Sequence, residues 1–261
     1  MSDTATMPAA SKPPQIQTMQ MADLKFALAA GWRDFRQAPM MGLFFSALCV
    51  LGGWVIYYCL FVTEQIWWAI PMTVGFPLVA PFLAVGLYEV SHRLEQGRAY
   101  SLGDILTVVW HQRLRQLPMM SWVIIVYFLF WSFFAHMLFA LFLGPSALMN
   151  VTSSYAYLFQ PEGLLMLVVG TAFGAAFALV LFCLTVISLP LLLDKELDFV
   201  TAMLTSIGTV RHNARVMLVW GLLIALLTFA AMLPGLLGLL VVLPVLGHAS
   251  WHVYRRALRD A

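Results

Sequence analysis

Charge is scarce in this chain of 261 residues. Charged residues make up 10% of the sequence and hydrophobic residues 62%, and the mean hydropathy is +0.89. A water-soluble domain carries about 25% charged residues, so the composition excludes an ordinary soluble fold. The net charge of +2 is too small to suggest nucleic-acid binding. We therefore expect an integral membrane protein that has the lipid bilayer as a partner and binds no nucleic acid.

Cysteine is also rare, and the motifs of common catalytic sites are missing. Cys49, Cys59 and Cys183 lie inside apolar segments, with no second cysteine or histidine at metal-ligand spacing, which indicates small buried hydrophobic residues. The sequence has no phosphate-binding loop, no nucleophile elbow and no run of paired carboxylates. We therefore expect no enzymatic activity, no catalytic residues and no cofactor.

The first 20 residues have no apolar run and contain three prolines. This composition predicts a disordered cytoplasmic tail over residues 1–20, and without an apolar core the segment does not resemble a cleaved signal peptide. The remaining residues, 21–261, are predicted to form a single transmembrane domain.

Six apolar stretches have the length of about 20 residues that a helix needs to cross a bilayer. They cover residues 41–62, 67–90, 122–143, 164–193, 216–233 and 236–254. The fourth is too long for an upright helix, so we expect it to tilt or to break near Pro190. The sequence thus predicts an all-α, polytopic fold with six transmembrane helices.

All 14 lysines and arginines fall on one side of these six spans. They lie before the first span, between the second and third, between the fourth and fifth, and after the sixth. Loops rich in Lys and Arg remain in the cytoplasm during insertion. This distribution predicts that both termini are cytoplasmic.

A short motif recurs before the odd-numbered spans. Arg-Gln-Ala-Pro-Met-Met at 36–41 returns as Arg-Gln-Leu-Pro-Met-Met at 115–120, with a looser copy at 212–217. Each copy follows a stretch of amphipathic helical periodicity. We predict three repeats, about 21–97, 98–194 and 195–261, each an amphipathic interfacial helix followed by a helical hairpin. The amphipathic helices are either simple linkers or a platform for a partner.

Four ionisable residues near the inner ends of the even-numbered spans form a candidate buried polar cluster: Glu89, Asp194, His248 and His252. Such groups are costly in a membrane and often functional. If the repeats pack around a common axis, the four converge, and we predict an Asp194–His248 hydrogen bond. His248 and His252 share a helical face and could hold a metal or haem. The alternative is that these groups are polar contacts between helices, so the metal assignment stays open.

Several segments resemble a known family. They are Pro-Phe-Leu-Ala-Val-Gly-Leu-Tyr-Glu at 81–89, Ser-Leu-Pro-Leu-Leu-Leu-Asp at 188–194, and Leu-Pro-Val-Leu-Gly-His-Ala-Ser-Trp-His-Val-Tyr-Arg at 243–255. With them the chain resembles the bacterial integral-membrane family catalogued as domain of unknown function 2189. The resemblance implies a multi-pass inner-membrane protein, and it implies no activity, cofactor or catalytic residue.

These observations favour a non-enzymatic accessory or scaffold protein that holds or assembles another membrane-protein complex. Two alternatives remain open. One is a transporter of a small solute, and the other is a metal- or haem-binding membrane protein that uses His248 and His252.

Overall fold

The computed structural model describes residues 14–62, 69–143 and 160–259. The described residues are predominantly helical, which confirms the predicted all-α class. The helices are α1 (Met21–Gln37), α2 (Pro39–Tyr57), α3 (Ala69–Glu95), α4 (Leu102–His111), α5 (Leu117–Leu143), α6 (Pro161–Thr185), α7 (Ser188–Asp194), α8 (Phe199–His212), α9 (Ala214–Met232) and α10 (Leu239–Ala257). A π-helical turn (Tyr58–Val62) extends α2, and a 3-10 turn (Gln112–Leu114) follows α4. Two short strands, β1 (Gln15–Ile16) and β2 (Leu258–Arg259), pair antiparallel.

Within the described residues, four helical stretches are long and apolar enough to cross a membrane. They are Pro39–Tyr57, Leu117–Phe142, Pro161–Asp194 and Ala214–Met232. They correspond to the first, third, fourth and fifth predicted spans. The protein is therefore a multi-pass membrane protein, and the assignment of α3 and α10 as further spans is taken up under the proposed function.

The fourth span breaks as Pro190 predicts. The helix ends at Thr185 and resumes at Ser188. Pro190 has no N–H, so a continuous helix would lose the hydrogen bond to the Val186 carbonyl. At the break, the backbone N–H of Ile187 donates instead to the hydroxyl of Ser206 on α8, at 3.2 Å.

The short helices α4 and α8 begin at side-chain caps. Ser101 accepts a hydrogen bond from the Asp104 N–H at 3.1 Å, and Asp104 accepts one from the Ser101 N–H at 3.0 Å. This reciprocal capping box satisfies backbone donors that have no partner inside the helix. The hydroxyl and N–H of Ser101 hold the pKa of Asp104 below its usual value. At α8 the Asp198 carboxylate serves as the N-cap and accepts a hydrogen bond from the Thr201 N–H at 2.8 Å, and the hydrogen bonds from Thr201 lower the pKa of that carboxyl.

The predicted disordered tail is wrong for its last seven residues, 14–20. β1 pairs with β2, and the buried Met19 donates its N–H to the Asn213 side chain at 2.7 Å. The Asn213 amide in turn donates to the Gln17 carbonyl at 2.9 Å. These partners lie about 200 positions away along the chain, so local composition gives no sign of them. Residues 1–13 lie outside the described part.

Helix α10 is at the centre of the packing and contacts α1, α2, α3 and α9. Gly31 allows α1 to approach closely, because a Cβ at this position would lie 2.6 Å from the backbone nitrogen of Ala249. The amphipathic helix α1 thus lies directly against α10. This contact brings the C-terminal halves of both helices to the end of the bundle where α3 and α7 also terminate.

Candidate functional site

Polar side chains from α1, α3, α7 and α10 gather at this end of the bundle, and we call this group the polar layer. It includes all four residues of the predicted cluster. The polar layer comprises Asp34, Glu89, Ser91, His92, Arg93, Glu95, Asp194, His248, Trp251, His252, Tyr254 and Arg255.

His252 of α10 pairs with Asp34 of α1. The ring nitrogen Nε2 donates to the Asp34 carboxylate at 2.7 Å, and the two residues are only 8% and 3% exposed. Burying a carboxylate is costly unless it is paired, so this contact compensates for burial on both sides. Sequence reasoning missed Asp34. The available signal was an acid three residues after Gly31, in the helical stretch that precedes the first predicted span.

His248 is fully buried, and its Nδ1 lies 2.8 Å from the Ser91 hydroxyl of α3 in a hydrogen bond. Its Nε2 has no hydrogen-bond partner among the described residues. The predicted Asp194–His248 hydrogen bond is therefore wrong. Asp194 accepts instead from the hydroxyl of Tyr254, at 2.6 Å. Tyr254 lies six residues beyond His248, about 9 Å further along the helix, and Asp194 is level with this later turn.

Glu89 pairs within its own helix. Its carboxylate accepts from Arg93 Nε at 2.6 Å and from His92 Nδ1 at 3.4 Å. Glu89 is 5% exposed, and the hydrogen bonds from Arg93 and His92 compensate for the burial of its carboxylate. The sequence identified the acid correctly as buried, but placed it beside His252 and not beside its own i+3 and i+4 neighbours.

His92 connects the pairs on α3 with those on α7 and α10. Its ring stacks on Trp251 with centroids 4.9 Å apart, and its Nε2 lies 3.9 Å from Asp194. Trp251 donates its indole N–H to Glu95 at 3.1 Å, and Arg255 Nε donates to the same carboxylate at 3.2 Å. Glu89 and Asp194 thus belong to one chain of contacts through His92, whereas His248 and His252 take separate partners.

In the described part of the chain, no third metal ligand lies beside His248 and His252. No group of three or more His, Cys, Asp or Glu side chains there is arranged to hold a metal ion. The two histidines that share the face of α10 engage Ser91 and Asp34, on different helices. What this geometry does provide is a hydrogen-bonded connection between α1, α3, α7 and α10.

A cleft of about 500 Å³ opens beside the polar layer, between α1 and the last turns of α3 and α10. Its walls include Arg33, Glu95, Arg255 and Arg256. Arg256 lies over the Phe26 ring at 4.1 Å, so most of the arginines around the cleft are already engaged by partners of this chain.

A second cavity, of about 330 Å³, is partly open to the surface and lies between α2, α3, α6, α7, α9 and α10. Its lining is mainly aliphatic and aromatic. The polar layer and this apolar cavity therefore occupy neighbouring levels of the same helices: Tyr88 lines the cavity, and the next residue, Glu89, belongs to the polar layer.

Residues 69–194 match the family model DUF2189, described as a predicted integral membrane protein. The match runs from the start of α3 to the last residue of α7, so it includes Glu89 and Asp194. A search of the curated proteins found no match, and neither did a search of the solved structures. The resemblance noted in the sequence is confirmed over these residues, which match the DUF2189 family of predicted integral membrane proteins.

Proposed function

We propose that the protein is a non-enzymatic accessory or scaffold protein of the bacterial inner membrane, which holds or assembles a partner membrane-protein complex. This proposal depends on one observation at the end of the bundle that bears the short helices. The charged side chains there pair with one another within the chain, while large apolar side chains of α4 and α8 remain exposed.

An even number of membrane crossings is supported by the pairing of the chain's two ends. β1 precedes every span and β2 follows every span, and the two strands hydrogen-bond to each other. Residues 14–20 and the end of α10 therefore share one side of the membrane. Four crossings and six both satisfy this condition.

Six crossings are supported by contacts at both ends of α10. At one end, Trp54 near the end of α2 donates its indole N–H to the Gly235 carbonyl in the turn before α10, at 2.9 Å. At the other end, Trp251 and Arg255 bind Glu95 at the last turn of α3. These contacts support an α10 that returns across the thickness that α9 traverses and an α3 that finishes at the same level as α10.

A cytoplasmic location for this end is supported by its arginines. Arg115 binds Glu196 and the Leu193 and Lys195 carbonyls after α7, and Arg93 reaches the Ala99 carbonyl before α4. Basic residues collect on the cytoplasmic side of inner-membrane proteins. Both chain ends would then be cytoplasmic, and α1, α4 and α8 would lie at the inner headgroup level.

The scaffold function is supported by what this end leaves uncovered. Trp110 near the end of α4 is 61% exposed, Leu114 in the 3-10 turn that follows is 77% exposed, and Leu204 on α8 is 63% exposed. Exposed apolar groups beside charged ones mark membrane or protein contacts. Because the buried acids and histidines mostly bind partners within the chain, the polar layer is better suited to fixing this surface than to chemistry.

The test is affinity purification of the tagged full-length chain from membranes in a mild detergent. We expect a membrane-protein complex to co-purify, and Leu204→Gln together with Trp110→Gln to reduce its recovery severalfold. The matched control is Leu237→Gln, an apolar residue of 50% exposure at the opposite end of the bundle. Recovery of this chain alone, under conditions that preserve known complexes, contradicts the proposal.

Transport of a small apolar solute is a second candidate, favoured by the cavity between α2, α3, α6, α7, α9 and α10. Proteoliposomes test it directly. Flux of an apolar solute that depends on the protein would support transport, whereas flux equal to that of empty liposomes would oppose it.

A further inference from the structure

The cavity of about 330 Å³ is large enough to hold a small ligand. Protein interiors are close-packed, with few voids larger than a water molecule, whereas ligand pockets measure about 300–1,000 Å³. Six helices contribute to the wall: α2, α3, α6, α7, α9 and α10. The cavity is partly open, and because several helices form it, it is a feature of the folded bundle and not a groove along a single helix.

The wall defines the chemistry of the occupant. Phe45, Leu83, Phe182, Ile224 and Leu246 supply aromatic and aliphatic surface, and no charged residue is among the described lining residues. An ion or a phosphate would find no counter-charge here, and burying one would be prohibitive. The occupant is therefore apolar along most of its length.

Three hydroxyl-bearing residues on this wall have no hydrogen-bond partner in the described part of the chain: Tyr88, Thr228 and Ser250. Tyr88 is only 7% exposed as a residue, but its unpaired hydroxyl is not among the fully buried polar atoms, so the hydroxyl keeps some accessible surface. The other two hydroxyls on the wall are satisfied, since Ser46 donates to the Gly42 carbonyl and Thr185 to the Leu181 carbonyl, each at 2.8 Å. An unpaired phenol at the wall of an apolar cavity indicates a neutral acceptor on the ligand.

We propose that this cavity binds the acyl chain of a membrane lipid, with the ester carbonyl of that chain accepting a hydrogen bond from the Tyr88 hydroxyl. In a multi-pass protein the abundant apolar molecule at this depth is the lipid tail. An ester has a neutral carbonyl acceptor for the Tyr88 hydroxyl, and this carbonyl is directly attached to the hydrocarbon chain. This binding site does not depend on any partner complex at the end of the bundle that bears the short helices.

The test uses the methyl ester of cis-parinaric acid, a fluorescent and uncharged acyl chain, titrated into the purified full-length protein in detergent. We expect saturable binding to the parent protein and at least a tenfold loss of affinity for Ala84→Phe, which places a ring inside the cavity. The control is Ala176→Phe, the same substitution at an exposed position of α6, which should bind like the parent. Equal affinity in the parent and the Ala84→Phe variant overturns the proposal.

A second variant covers the case in which Ala84→Phe fails to fold. Tyr88→Phe keeps the ring and removes only the hydroxyl, and loss of one such hydrogen bond should weaken binding by roughly 3- to 10-fold. Unchanged circular dichroism would show that the fold is retained. Affinity equal to that of the parent would overturn the assignment of Tyr88 as the donor.

Discussion

Asp34 and His252 form a buried pair that fastens the first helix of the described chain to the last. The carboxylate and Nε2 are 2.7 Å apart, although the two residues are separated by 218 positions in the sequence. Next to this pair, Gly31 meets the backbone of Ala249. α1 is therefore held by one polar contact and one close backbone approach, and each can be tested separately.

Removing the acid of this pair should destabilise the protein strongly. In Asp34→Ala the buried His252 ring loses its hydrogen-bond partner, and leaving a buried polar group unsatisfied costs about 1–3 kcal/mol. Thermal unfolding of the purified protein in detergent measures the loss. The control is Glu196→Ala, which breaks an exposed pair with Arg115 and should cost at most about 1 kcal/mol. Equal effects of the two substitutions would show that the Asp34–His252 contact is not formed.

Adding a methyl group at the close approach should separate α1 from α10. Gly31→Ala places a Cβ within 2.6 Å of the Ala249 nitrogen, and the neighbour is backbone that cannot rotate away. We expect a loss of about 1–3 kcal/mol from overpacking, again measured by thermal unfolding. Gly103→Ala on α4 is the matched control, because its Cβ would meet nothing closer than 3.8 Å. Tolerance of both alanines would mean that α1 does not lie on α10.

Loss of the Asn213 side chain should release the N-terminal segment. Asn213→Ala removes the acceptor for the Met19 N–H and the donor to the Gln17 carbonyl. Hydrogen–deuterium exchange should then show faster exchange over residues 14–20 and little change in α5. Asn213→Asp keeps the acceptor and should give an intermediate rate. Slow exchange in the alanine variant would indicate that the β1–β2 pairing alone retains the segment.

The six-span arrangement can be tested by labelling single cysteines in a background where Cys49, Cys59 and Cys183 are replaced by alanine. A membrane-impermeant maleimide added to spheroplasts should label Leu237→Cys, in the turn before α10. Arg98→Cys, between α3 and α4, should react only after the membrane is opened. Both positions are exposed in the structure. Labelling of both from the same side would contradict an N-in, C-in topology with α10 as the sixth span.

Local features of the structure were predictable from the sequence. The capping box at Ser101 and Asp104 and the break ahead of Pro190 depend on neighbouring residues only. The apolar faces of the short helices follow from helical periodicity. Each of these features is decided within about one turn of helix, which is the range over which sequence spacing fixes geometry.

The partners of the buried polar groups were predicted less well. Asp194 and His248 were expected to bond, yet Asp194 binds Tyr254 and His248 binds Ser91. Asp34 was not among the candidates at all. A hydrogen bond needs its atoms within about 3 Å, and the relative height of two helices is set by side-chain packing along their whole contact.

The sequence by itself determined the medium and the elements of this protein. Its low charge and long apolar runs require lipid around the helices, since backbone groups in a bilayer must be satisfied within the segment. Only the tertiary structure decided which residues on different helices contact each other. The close crossing at Gly31 sets the height of α1 on α10, and that height brings Asp34 to His252. Spacing along one helix is encoded locally, whereas the register between helices is a property of the packed bundle.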